Sequence, residues 1–525
     1  MLLGHIHFDS ANTRDSLSDL LALKDKTDSV FRNKYVRIVG GNGAQFLGRI
    51  IDGPFFVPEE VGRDSAFAQT AILRGEEFKA MPDYYVLARI EVLGELRDGS
   101  MFGTSTRPVP KSPVEDLSSE DIQNLIGLGG DMIIGSLVGY PGVKVTMNSQ
   151  IKKVLPRNVG IFGTVGSGKT NSAQVLIEEA SRAGYAVIVL DVEGEYTAMD
   201  EPTSEKALEA RLKDSGREPE GLKDFRVFHP TGGESTRKDS KEFGIPFNQM
   251  PPYLVSELAG LTEPQEGVFL NAHEAVSERV RKQKGVSKKK AKSKAIAFLE
   301  GDTEEDEGLK LQSVIEEIPA QGAQAGSGTL WALSRKLTAL RRTDIFDVGE
   351  SINIADLLVK GRVSVIDTSG MHNDNAKNIA IAWILREAFR HKLSNADAPH
   401  TLIVIEEAHT FISKESRDRM TATMDMLKLI ARRGRKRWLA LSFVSQQPSH
   451  LPDEIFELCN TRFIHSVKSD FNLNPLKRTS GDVLSELWDM VPSLGPGQAL
   501  ITSPQFTHTV LVEVRPSATR RRMIE

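Results

Sequence analysis

From Val159 onward, short apolar runs alternate with stretches whose apolar residues recur at helical spacing. Runs at 159–162, 186–190, 225–228, 363–366, 401–405, 438–444 and 461–467 predict strands. Between them lie amphipathic segments; Met424, Leu427 and Ile430, for example, mark one face of a helix. Such alternation is the pattern of a parallel α/β sheet. The chain before about residue 110 reads differently. Tyr35–Val39 and Phe46–Ile51 flank Gly40-Gly41-Asn42-Gly43, and Tyr84–Val92 is a third strand closed by glycine and charge. Short strands with glycine and proline punctuation predict a small β-barrel. A Pro/Ser-rich segment, Arg107–Pro113, follows, and Ser118-Ser119-Glu120-Asp121 opens a short helix. The predicted organisation is a barrel over 1–110, a connector over 111–150 and an α/β core in two parts, 151–250 and 346–515. An inserted helical domain occupies 251–345, and a tail covers 516–525. No internal repeat is present.

Composition narrows this picture. The 525 residues are 40% hydrophobic and 26% charged, which suits a globular chain of several domains. A single cysteine, Cys459, excludes a disulfide framework and a cysteine-rich metal site, and points to a reducing, cytoplasmic compartment. The start, MLLGHIHFDS, lacks the pattern of a secretory signal, and apolar runs such as Leu402–Ile405 are strand-sized, so no membrane span is expected. A net charge of −5 argues against a surface that coats DNA generally, while leaving room for a local basic channel. The run Lys288–Lys294, followed by the acidic turn Glu304–Glu307, reads as a solvated helical face, with a DNA or partner contact as the alternative.

The chemistry is concentrated at the ends of the predicted strands. Gly163-Thr164-Val165-Gly166-Ser167-Gly168-Lys169-Thr170 follows the first α/β strand and precedes a helix, with Asn171 next in line. This is the G-x-x-x-x-G-K-[ST] phosphate loop in the strand–loop–helix setting it requires. Its backbone N–H groups and the helix N-terminus face phosphate oxygens, Lys169 reaches the β/γ-phosphates, and the Thr170 hydroxyl faces Mg²⁺. The chain is therefore expected to bind ATP with Mg²⁺.

Thr401–Ile405 ends in Glu406-Glu407. Two acids at the tip of a buried strand suit a metal-shell carboxylate followed by the base that polarises the attacking water. Asp191 and Glu195 end another strand; either touches the metal's water or the substrate channel, or serves only as an N-cap. Val363–Ser369 has the same shape in weaker form. Gln446 and Gln447 end the strand from Trp438, where a glutamine either senses the γ-phosphate or simply belongs to the turn. The cluster Arg432-Arg433-Gly434-Arg435-Lys436-Arg437 is either a basic helix end or the source of an arginine for a neighbouring subunit's nucleotide.

Taken together, these segments resemble the HerA–FtsK group of ring-forming P-loop ATPases, most closely its HerA-type DNA translocases. The resemblance rests on Gly163–Thr170, Asp191–Tyr196, Ile405–His409, Arg432–Lys436, Ser445–Ser449 and Gly495–Ala499, in the family's order across most of 155–515. It implies a RecA-like P-loop core with a parallel sheet, an N-terminal barrel of the HAS type and an inserted helical bundle. It further implies a homohexamer threading double-stranded DNA, and a nuclease or an antiviral defence effector docked through the barrel. By resemblance Lys169 and Thr170 hold phosphate and Mg²⁺, Glu406 belongs to the metal shell and Glu407 is the base. Gln446 is the sensor, and Arg432 acts in trans, with Arg433 and Arg462 as further candidates. The tail is short for a brace reaching across a neighbouring subunit. Two other readings exist. One is an ATPase moving a different polymer; the other is an ATP-binding scaffold ring that controls an effector, with DNA motion secondary.

Overall fold

Strands β1 (Leu2–Ile6), β2 (Leu17–Ala22), β3 (Tyr35–Val39), β4 (Gln45–Pro58), β5 (Tyr84–Arg97), β6 (Ser100–Phe102) and β7 (Pro113–Asp116) make one sheet in the order β2-β1-β7-β3-β4-β5-β6. A further pairing of β2 with β5 closes six of them into a barrel. These observations come from a computed structural model describing residues 1–8, 16–41, 43–58, 84–103, 106–284, 308–321, 325–414, 421–481, 483 and 485–522. The lysine run 288–294 and the acidic turn 304–307 lie outside them. Inward positions of the barrel carry Leu20, Val36, Ile38, Ile50, Ala88, Ile90 and Val114, all buried. Register breaks in β4 between Leu47 and Gly48 and between Ile50 and Phe55 bend it around this core. Gly48 belongs at such a bend, since a Cβ there would stand 2.6 Å from Ile90 Cγ2.

The second sheet has twelve strands: β8 (Met132–Leu137), β9 (Tyr140–Met147), β10 (Val159–Phe162), β11 (Ala186–Asp191), β12 (Phe225–Pro230), β13 (Lys241–Phe243), β14 (Val363–Asp367), β15 (Thr401–Ile405), β16 (Leu439–Ser445), β17 (Thr461–Ile464), β18 (Gln498–Thr502) and β19 (Val510–Val514). Their order is β13-β12-β14-β11-β15-β16-β10-β17-β18-β19-β8-β9. The strands from β13 to β17 run parallel, and the rest are antiparallel. The α/β class expected from the alternation is thus the observed one. The parallel strands lie between two apolar layers, so every residue of β11 and β15 is buried.

Two expectations about boundaries need correction. The stretch 111–150 is not a plain connector: β7 is inserted between β1 and β3 of the barrel, while β8 and β9 extend the large sheet through β19. The inserted helices Glu263–Lys284, Leu311–Gln321 and Ser327–Arg341 have no separate core. Phe269, Val314 and Leu337 share one apolar cluster with Trp383 and Phe389 of the helix Asp374–Ser394. Among the described residues no helix is long and apolar enough to cross a membrane.

Barrel and sheet are joined by buried polar contacts. The fully enclosed Arg49 binds Glu91 at 2.7 Å and donates to the Thr509 carbonyl at 2.8 Å. Tyr35 N–H donates to the Tyr140 hydroxyl at 2.8 Å, and Asn33 Nδ2 donates to the Val138 carbonyl at 3.1 Å. Removing one member of a buried ion pair leaves the other charge unpaired. Arg49→Met should therefore cost roughly 3–5 kcal/mol in denaturant unfolding. Arg49→Met combined with Glu91→Leu should recover most of that loss.

Candidate nucleotide site

Parallel register brings the site together. Phe162 of β10 pairs with Ser445 of β16, and Ile405 of β15 pairs with Phe443 of β16 and Leu190 of β11. Gly163, Gln446, Glu406-Glu407 and Asp191 therefore emerge at one sheet edge, with β16 between the phosphate-loop strand and the acidic strand. The loop winds through Gly166 and Gly168, whose φ values of 75° and 106° are left-handed. A Cβ at Gly168 would lie 2.9 Å from the Gly497 backbone, so the loop could not sit against that turn. Ser167 Oγ donates to the Thr164 carbonyl at 2.7 Å, and Thr164 N–H and Oγ1 both donate to the Ser466 carbonyl at 2.9 Å. Val165, at the tip, is 82% exposed.

Lys169 curls back so that Nζ donates to the Thr164 carbonyl at 3.0 Å. Burial pulls its pKa below the usual lysine range, against the opposing fields of Glu407, Glu195 and Glu406. Thr170 Oγ1 donates to Glu195 Oε2 at 2.9 Å. The Asn171 side chain is turned toward the segment after β19. Its Nδ2 donates to the Arg515 carbonyl and its Oδ1 accepts from Ser517 N–H, both at 2.8 Å.

The two strand-end acids of β11 and β15 are buried against each other. Burial, and then Asp191, hold the Glu406 carboxyl well above the ordinary range, while burial pushes Asp191 up to about 6. Asp191 accepts from Gly194 N–H at 2.7 Å, Glu195 N–H at 3.2 Å and Tyr196 N–H at 2.9 Å. It thus shapes the turn that presents Glu195, whose carboxylate reaches Thr170 of the loop. Asp367 is held by Ser235 and Ser369, both at 2.6 Å. The Thr170 hydroxyl with the Glu195 and Glu406 carboxylates forms a set of hard oxygen donors. Such a set suits Mg²⁺, which keeps waters and phosphate oxygens in its shell.

Glu407 has a left-handed φ of 41°, unusual for a residue with a side chain. That turn sends its carboxylate toward β16, 3.5 Å from Gln446 N and 3.1 Å from His409 Nδ1. His409 Nδ1 also lies 3.2 Å from Ser445 Oγ. Gln446 is half-buried at this junction, whereas Gln447 is exposed. His409 has no role in the sequence reading, although its spacing of two from Glu407 is visible there. His465, likewise unassigned, lies under the loop with its ring nitrogens 2.9 Å from Ser172 Oγ and the Gln498 carbonyl.

The arginine candidates separate. Arg462 is committed within its own subunit, donating to the carbonyls of Cys459 at 3.0 Å, Thr479 at 2.7 Å and Phe456 at 2.8 Å, and to Ser480 Oγ. It is a buried structural tie. Arg432 and Arg433 are exposed at the end of the helix Thr421–Gly434, just before β16 begins. This is the opposite sheet edge from the phosphate loop, one length of β16 away, or roughly 23 Å for its seven residues. Arg432 lines a cleft of about 390 Å³ with Arg157, Lys428, Arg435 and Glu454. Among the described residues neither Arg432 nor Arg433 has an ion-pair partner.

Comparison with known proteins agrees with this architecture. Residues 132–388 match the family model described as Helicase HerA, central domain. The DNA double-strand break repair helicase HerA of Sulfolobus acidocaldarius is 25% identical over 434 residues, covering 80% of this chain and 75% of that protein. Its counterpart in Saccharolobus solfataricus is 23% identical over 441 residues, covering 82% and 77%. Through this central region the chain matches the HerA helicase family. Among solved structures, VirB4 of Thermoanaerobacter pseudethanolicus shares the fold, with a TM-score of 0.52 at 14% identity, over 74% of this chain and 96% of that one. The chain is accordingly a P-loop ATPase, with the acids and loop described above as its candidate catalytic groups.

Burial lowers the His465 pKa to about 4, and the nearby Lys169 charge acts in the same direction. An unfolded histidine titrates near 6.5. Between these values the unfolded chain binds the extra proton and the folded one does not, so stability falls as pH drops from about 6.5 toward 4. The slope from this group approaches 1.4 kcal/mol per pH unit. Unfolding free energies of wild type and His465→Gln across that window should show a shallower slope in the variant.

Proposed function

We propose that this chain assembles as a homohexameric ring and moves along double-stranded DNA by ATP hydrolysis, in the cytoplasm. We further propose that a nuclease or defence effector docks through its barrel. In the proposed cycle Lys169 holds the β/γ-phosphates, Gln446 orients the attacking water and Glu407 accepts its proton. Thr170 and Glu406 are the residues that would hold Mg²⁺, which when bound neutralises charge on the β and γ oxygens. The observation that carries the ring is the position of Arg432 and Arg433. Without an ion-pair partner among the described residues, and on the edge away from their own phosphate loop, they suit a neighbouring subunit's nucleotide, where an arginine stabilises transition-state charge.

Backbone-tracking contacts to DNA carry no sequence information and release counterions. ATPase rate should therefore rise with linear duplex of any sequence and lose that stimulation as salt increases, with Lys169→Ala as the blank. Glu407→Gln should bind nucleotide yet turn over about 10²–10⁴-fold more slowly, the range for losing a general base. Turnover indifferent to DNA at every salt concentration would point instead to a scaffold ring.

Shared sites give a second prediction. Arg432→Ala and Glu407→Gln proteins should each be inactive alone. Mixed and allowed to exchange subunits, they should regain part of the wild-type rate, because some interfaces then combine an intact Arg432 with an intact Glu407. Absence of any recovery, with exchange verified by labelled subunits, would remove Arg432 from the trans role.

A further inference from the structure

The segment after β19 does not hang free. Arg515 donates to Glu178 and Glu179 of the phosphate-loop helix, Lys169–Arg182, at 2.8 Å each, and Nε donates to the Ile133 carbonyl at 3.0 Å. Asn171 clamps the backbone at Arg515 and Ser517. Thr519 N–H and Oγ1 both donate to Glu178 Oε1, at 2.9 and 2.8 Å. Thr203 N–H and Glu220 N–H donate to the Ala518 carbonyl at 2.9 and 3.1 Å, and Arg520 N–H donates to the Glu201 carbonyl at 2.8 Å. Arg515, Ala518 and Thr519 are at most 2% exposed. This stretch is bound along its own subunit's helix.

The strap leads to the nucleotide. Arg522 N–H donates to the Glu195 carbonyl at 3.2 Å, and Arg521 pairs with Glu195 Oε1. The other oxygen of the same carboxylate accepts from Thr170 Oγ1 at 2.9 Å. Glu195 thus links the hydroxyl expected to face Mg²⁺ to a guanidinium carried by the strap. Arg521 also lies close enough to Lys169 for its charge to oppose the lysine's own, alongside the attractive fields of Glu407, Glu195 and Glu406. Its side chain is 41% exposed, so it retains room to turn.

We propose that Arg521 is a nucleotide-sensing residue acting in cis, which leaves Glu195 to contact the outermost phosphate of a bound nucleoside triphosphate. The physical reason is competition for one guanidinium. A terminal phosphate offers more charge than a carboxylate and can accept two parallel N–H bonds. A triphosphate with its cation would draw Thr170 and Glu195 to itself, since these are residues that would hold the cation. Arg521 is then free to turn to the phosphate oxygens. A diphosphate lacks that terminal group and leaves the Arg521–Glu195 pair closed. The strap would thereby report the state of its own site, independently of Arg432 on the neighbour.

This rests on the phosphate-loop reading, and the test separates the two. Equilibrium binding of fluorescent ADP and of a fluorescent non-hydrolysable ATP analogue, both with Mg²⁺, is measured on the full-length protein. Wild type, Arg521→Ala, Arg521→Lys and Lys169→Ala are compared. Arg521→Ala should lose about 10-fold in affinity for the triphosphate analogue, a typical charge-assisted contact. It should change ADP affinity less than about 2-fold, with Arg521→Lys intermediate. Equal loss for both nucleotides, or no loss for either, would reduce Arg521 to a structural contact and overturn the proposal. So would faster turnover of Arg521→Ala at saturating ATP, which would identify a latch. If wild type bound neither nucleotide better than Lys169→Ala, the nucleotide site itself would fall, and the assignment with it.

Discussion

Asp191 and Glu406 face each other at a sheet edge from which water is excluded, and much of the site follows from that contact. Two neighbouring carboxyls in a low-dielectric setting cannot both ionise cheaply, and burial raises the pKa of each. The surrounding backbone is arranged to limit the cost. Gly194, Glu195 and Tyr196 turn their N–H groups onto Asp191, and Val192 N–H lies 3.3 Å from Glu406. Satisfying the buried acid fixes the turn after β11, and the fixed turn aims Glu195 at Thr170. The same repulsion makes the edge receptive to a divalent cation arriving with a triphosphate. Stability and nucleotide affinity therefore draw on one electrostatic arrangement.

What could be read beforehand follows the physics of burial. Parallel strands covered on both faces are predominantly apolar, so β10, β11 and β15 stand out as runs, and β14 does so despite its Ser364. The phosphate loop is equally legible, because its glycine spacing answers to a fixed backbone path. Strands β8 and β9 escape notice, since they lie at an edge and mix buried with half-exposed positions around glycine. The boundary drawn at residue 110 fails for the same reason: β7, only four residues long, gives no periodic signal.

Arginines are the least legible. Arg462 and Arg432 look alike as cations near strand starts, but their roles depend on partners distant in sequence. Carbonyls of Phe456 and Thr479 consume Arg462, while none of the described groups claims Arg432. Arg521 acquires meaning only from the path of the strap, which is set by Glu178 and Asn171 some 340 residues earlier. Local pattern cannot encode a contact of that range.

The hairpin β18–β19 joins these parts mechanically. Gly497 N–H donates to the Ser167 carbonyl at 3.0 Å, and Val514 N–H donates to the Gly497 carbonyl at 2.9 Å, so the phosphate loop rests directly on the hairpin. At its other side β19 pairs with β8, and Thr509, just before it, accepts from Arg49 of the barrel. Close-packed interiors transmit displacement rather than absorb it. A shift of the loop backbone on nucleotide exchange would meet a hydrogen-bonded strand, and that strand is anchored at the barrel by a buried guanidinium. The strap after Val514 leaves from the same strand and returns to Glu195. The loop is therefore held from beneath by the hairpin and from the side by the strap, and both restraints issue from one continuous stretch of chain.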